Sequence, residues 1–107
     1  MRPLEARATS LGVSTELNLA GERPLALITG ASAGIGREIA TQFAAHGYDL
    51  ALVSRRRERL LDVAAVLADC YEVDALVIDA DLSSRDGPSE VLSRLRALDR
   101  HVDALVN

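Results

Sequence analysis

The 107 residues carry a formal net charge of −4 and, although 49% of them are apolar, only Phe43, Tyr48 and Tyr71 are aromatic. A chain of one small domain's size with that make-up must build an aliphatic core, and it lacks the basic field and the base-stacking surface that single-stranded nucleic acid requires. Cys70, the single cysteine, excludes an internal disulfide and a cysteine-based metal cluster.

Residues 1–22 mix small, polar and apolar side chains with no sustained helical or strand period. They read as a flexible N-terminal extension, with a short helical piece near Thr15–Leu19 and packing on a partner subunit as the alternative role. No apolar signal-peptide core stands there, and no apolar run approaches the ~20 residues that span a bilayer. The expected location is the cytoplasm.

From Pro24 onward the pattern is regular. Leu25–Thr29 is a short apolar run ending at glycine, as a strand buried on both faces would be. Gly30–Gly36 is a glycine-rich turn. Ile35, Ile39, Phe43 and Ala44 follow at helical spacing, and His46-Gly47 closes that helix. Leu50–Val53 predicts a second strand, and Glu58–Ala68 a helix with Leu60, Leu61, Ala64, Leu67 and Ala68 on one face. Ala75–Ile78 predicts a third strand. Asp86-Gly87-Pro88 opens another helix, with Val91, Leu92, Leu95 and Leu98 as its apolar stripe, and Val102–Val106 predicts a fourth strand. Apolar strands alternating with amphipathic helices imply an α/β fold, a parallel sheet with flanking helices.

The segment Thr29-Gly30-Ala31-Ser32-Ala33-Gly34-Ile35-Gly36 lies between a buried strand and an amphipathic helix, where a nucleotide-binding turn belongs. Gly30 permits a sharp exit from the strand, Gly34 a close approach of backbone to a pyrophosphate, and Gly36 tight packing of the helix. The helix N-terminus supplies amides and a positive dipole end for an anion. A P-loop would place Lys and Ser/Thr after the last glycine; Arg37 and Glu38 stand there instead. A glycine-rich turn that binds nothing is the bland alternative.

The G-x-x-x-G-x-G spacing, preceded by threonine at the first strand, resembles the short-chain dehydrogenase/reductase family over residues 24–107. The resemblance implies a partial dinucleotide-binding domain of Rossmann type over residues 23–107, strand order 3-2-1-4, truncated after the fourth strand. It implies pyrophosphate contacts from Thr29, Gly30, Ser32, Gly34, Ile35 and Gly36. At the tip of the second strand, where a carboxylate would select NAD, the chain has Ser54, Arg55 and Arg56. A hydroxyl and a guanidinium fit the 2′-phosphate of NADP. One hydrogen bond to a charged group contributes roughly 1.5–3 kcal/mol, a ten- to hundredfold preference. Arg55 is the stronger candidate, Arg57 and Arg59 are read as surface residues, and a solvated arginine run capping the next helix is the alternative.

Asp81-Leu82, after the third strand, looks like the family's short adenine-binding motif, with Asp79 as the alternative if the register differs and a turn cap as the bland role for either. Asn107 looks like the first residue of the Asn-Asn-Ala-Gly motif that steadies the sheet and backs the cofactor. The family's catalytic Tyr-x-x-x-Lys pair cannot be formed, because the chain has no lysine and Tyr48 and Tyr71 are followed four places on by Leu52 and Ala75. The resemblance thus implies the NADP-binding portion of an oxidoreductase moving hydride between nicotinamide and a carbonyl or alcohol, inactive by itself. The full-length protein would bind a small-molecule substrate and could form homo-oligomers. A non-enzymatic NADP-sensing module is the alternative. A methyltransferase would want an acid where Arg55 stands.

Overall fold

Leu25–Thr29 is apolar, bounded by Pro24 and Gly30, and forms strand β1 inside a four-stranded sheet. The computed structural model describes residues 23–107; the extension and short helix expected in residues 1–22 lie outside the described residues. After β1 come helix α1 (Gly34–Ala45), β2 (Asp49–Ser54), α2 (Arg57–Tyr71), β3 (Ala75–Asp79), α3 (Gly87–Leu98) and β4 (Ala104–Val106). Every strand pair is parallel and the order is β3-β2-β1-β4, as expected from the sequence.

The order decides where the helices go. From β1 to β3 the chain moves one way across the sheet, then returns past β1 to reach β4. Crossovers of constant hand therefore put α1 and α2 on one face and α3 on the other. On the first face Ala26, Ile28, Leu50, Leu52 and Val77 meet Ala40 and Ala44 of α1 and Leu60, Val63, Ala64 and Leu67 of α2. Phe43 and Tyr48 add an edge-to-face ring contact at 4.9 Å beside that core. On the second face Leu25, Leu27, Ala51, Val53 and Ile78 meet Val91 and Leu95 of α3. Successive strand residues alternate between the faces.

Three helical faces differ from the sequence reading. In α1, Ile35 is 79% exposed, because it lies in the first turn at the carboxyl edge of the sheet. In α2 the buried row is Leu60, Val63, Ala64 and Leu67, the i, i+3, i+4, i+7 stripe of a helix on a sheet; Leu61 falls beside it and is exposed. In α3 only Val91 and Leu95 of the expected stripe are buried, while Leu92 and Leu98 face outward. β4 starts at Ala104, two residues later than expected, and Leu105 on this edge strand is exposed.

The amino edge of the sheet is held by polar groups. Asp49, at the start of β2, is almost fully buried and accepts hydrogen bonds from the Arg100 guanidinium at 3.0 Å and the Asp74 amide at 2.8 Å. Arg100 also donates to the Arg23 carbonyl at 2.7 Å. Removing one member of such a buried pair costs roughly 3–5 kcal/mol. An open cavity lies at the opposite, carboxyl edge. Among the described residues no helix is long and apolar enough to cross a membrane.

Candidate nucleotide-binding site

The site begins with the exit from β1. Gly30 and Gly34 adopt positive φ of +63° and +61°, values that side-chain-bearing residues rarely tolerate. A Cβ at either would meet open space, so backbone conformation explains these glycines. Gly36 is different. A Cβ there would stand 2.1 Å from the Gly30 carbonyl oxygen, so α1 packs directly on the turn that precedes it. The Ala31 amide, donating to the Val53 carbonyl at 3.3 Å, ties this turn to the end of β2.

Among the described residues no side chain caps the N-terminus of α1. Its N-cap is Ala33, which makes no capping bond, and its first turn contains no acid. First-turn amides of a helix lack intrahelical acceptors, so here the donors and the positive dipole end face outward.

Ser54 ends β2, and its Oγ lies 3.1 Å from Ser32 Oγ in the glycine-rich turn. The Arg56 amide donates to the same Ser54 oxygen at 3.1 Å, turning the chain so that Arg55 and Arg56 are exposed at the edge. The Ala80 amide bonds the Ser54 carbonyl at 3.0 Å, which brings the end of β3 alongside. Asp81 follows. Its Oδ1 accepts from both the amide and the hydroxyl of Ser83. Those two bonds, with the nearby positive charge of Arg55 adding to them, hold the Asp81 carboxyl below its usual pKa. It therefore stays an anion and an acceptor at neutral pH.

Between these strand ends lies an open cavity of about 420 Å³, lined by Gly30, Ser32, Ser54, Arg55, Arg56, Asp81 and Leu82 with Val53, Ala80 and Ser83. The structure thus gathers seven of the twelve sequence-picked residues in one place. Gly34 borders a separate depression between α1 and α2, and Gly36 serves through packing. Thr29 and Asn107 pair with each other, Oγ1 to Oδ1 at 3.0 Å, joining the ends of β1 and β4 beyond that lining. Asp79, the alternative to Asp81, is outside the cavity and bonds Arg57 at 2.9 Å.

Three contributors escaped the sequence reading. Arg57 is exposed but holds Asp79. Ser83 fixes Asp81, and the D-x-S spacing was its signal. Gly87 repeats the role of Gly36, because a Cβ there would stand 1.9 Å from the Asp81 carbonyl oxygen. Asp81 to Gly87 has the same spacing as Gly30 to Gly36.

Residues 24–107 match the family model of the short chain dehydrogenases. A short-chain dehydrogenase from Sphingobium yanoikuyae, solved in complex with NADPH, is 43% identical and superimposes with a TM-score of 0.70 over 77% of this chain and 32% of its own. L-Sorbose reductase from Gluconobacter frateurii, solved with NADPH and L-sorbose, is 35% identical with a TM-score of 0.76, over 80% of this chain and 33% of its own. The inactive hydroxysteroid dehydrogenase-like protein 1 of Rattus norvegicus is 41% identical over 77% of this chain and 24% of its own. The chain spans about a quarter to a third of the length of these relatives.

Proposed function

The chain belongs to the short-chain dehydrogenase family, and we propose that it is the NADP-binding part of an oxidoreductase that moves hydride between nicotinamide and a carbonyl or alcohol substrate. The observation that carries this reading is the carboxyl-edge cavity, where Ser54, Arg55 and Arg56 stand in place of an acid at the tip of β2. Ser32, Ser54 and Arg55 fit a 2′-phosphate: two adjacent hydroxyls and a guanidinium offer donors to an anion. Asp81 supplies an acceptor for the adenine amino group, with Leu82 beside it. Thr29, Gly30, Gly34, Ile35 and Gly36 form the turn for the pyrophosphate, with Asn107 supporting Thr29. The open N-terminus of α1 suits that charge.

When bound, the nicotinamide would donate or accept the hydride; these residues bind and orient. The 107 residues contain no lysine and hence no Tyr-x-x-x-Lys pair, so the chain alone binds without turnover. Detectable NADPH-dependent ketone reduction by the purified chain would overturn that statement. A second reading, cofactor binding without catalysis in the whole protein, is favoured by the inactive rat relative.

Calorimetric titration with NADPH and NADH tests the cofactor reading. NADPH binds about ten- to a hundredfold more tightly, and Arg55→Ala brings NADPH down towards NADH. Equal affinities in a folded chain would overturn it.

A further inference from the structure

The Arg57–Asp79 pair stands next to the cavity without lining it. Asp79 is the register partner of Ser54 across the β2–β3 ladder. Register partners in neighbouring strands are about 4.8 Å apart. Ser54 and Asp79 follow Leu52 and Val77 by two residues, so both continue the face covered by α1 and α2. The sequence therefore sets an acid one strand away from the hydroxyl at the centre of the phosphate-binding row. Arg57, in the first turn of α2, bonds that acid at 2.9 Å.

We propose that Arg57 is a specificity-determining positioning residue: by neutralising Asp79 it keeps the pocket around Ser54 receptive to a 2′-phosphate, without touching the cofactor itself. This rests on the reading of the cavity as the NADP site. The physical argument is one of range. An acid directly at the pocket repels a phosphate by contact, and an acid one strand away still acts within the Debye length of about 8–10 Å. Because both partners are half-exposed, with side-chain exposures of 54% and 43%, the bond contributes little to stability. Its charge balance matters where the 2′-phosphate arrives. NAD, with a hydroxyl in place of that phosphate, is indifferent to it.

The test is titration of the folded chain with NADPH and NADH at low and high salt, with thermal melting of each variant as the folding control. Arg57→Gln weakens NADPH about three- to tenfold and leaves NADH unchanged, and the loss shrinks in high salt. Arg57→Lys restores the affinity, as does the double variant Arg57→Gln with Asp79→Asn. Asp79→Asn alone tightens NADPH, because Arg57 is then uncompensated. Equal weakening of both nucleotides by Arg57→Gln, or no change in either, overturns the proposal. Should Arg57→Gln fail to fold, weaker NADPH binding by Asp79→Asn overturns it alone. The cofactor reading stands or falls separately, on the NADPH preference of the unaltered chain and on Arg55→Ala.

Discussion

The β1–α1 and β3–α3 turns solve one steric problem and then part. In each, a glycine in the first turn of a helix lies against a carbonyl, Gly36 on Gly30 and Gly87 on Asp81, where a Cβ would come within 2.1 Å and 1.9 Å. In the β1–α1 turn, Gly30 and Gly34 are left-handed and the helix cap is an alanine with no polar atom. The β3–α3 turn has no residue at positive φ. It closes its amides on its own side chains: Ser83 on Asp81, Gly87 on Ser84 Oγ at 3.1 Å. One turn is finished by its own residues and the other leaves donors facing out.

Substituting both packing glycines breaks the comparison most sharply. Gly36→Ala and Gly87→Ala each insert a methyl into a carbonyl, and each should cost about 1–3 kcal/mol in denaturant unfolding, as overpacking does. Gly36→Ala is also expected to abolish NADPH binding, because the turn that must move is the one proposed to hold the pyrophosphate. Gly87→Ala moves only Asp81, so affinity falls a few-fold. Equal losses of binding in the two variants would mean that the turns are not functionally distinct.

Substitutions beside the two helix starts have a smaller effect. Ala33→Asp gives α1 the side-chain acceptor it lacks, raising stability by about 0.5–1 kcal/mol while weakening NADPH more than about tenfold. Ser84→Ala removes the acceptor for the Gly87 amide and the donor to the Asp81 carbonyl, costs about 1 kcal/mol, and weakens NADPH far less than Ala33→Asp does.

The smallest effect is on pH. The Asp81 carboxyl is held below its usual value by Ser83 and then by Arg55. A depressed carboxylate contributes stability that is complete above the unfolded-chain value, about pH 4, and is lost as pH falls through the lower folded value. Melting curves recorded from pH 5 down to pH 2.5 should show this loss, and Asp81→Asn should flatten that part of the profile. An unchanged profile would assign the acid sensitivity to other carboxylates.

The architecture was legible in the sequence because it depends on local patterns. Four apolar runs, the helical repeats between them and the glycine spacing of Gly30, Gly34 and Gly36 led to a parallel sheet of order β3-β2-β1-β4. Ser54, Arg55, Arg56 and Asp81 were legible as well, since in a parallel sheet the residues just after each strand share one edge. The helix faces were read less well, because apolar residues lie on more than one side. Leu61 and Leu92 match a helical period as well as their buried neighbours do, and only the orientation of α2 and α3 on the sheet leaves them outside.

What tertiary structure alone decided is which polar groups meet. Arg57 and Asp79 lie 22 residues apart, and nothing local marks them as partners; the β2–β3 register and the start of α2 bring them together. The same register chose between Asp79 and Asp81, giving one to an arginine and the other to the cavity. Composition and periodicity specify which elements form, since each depends on residues a few positions apart. The charge around the site depends on side chains that meet only when those elements pack.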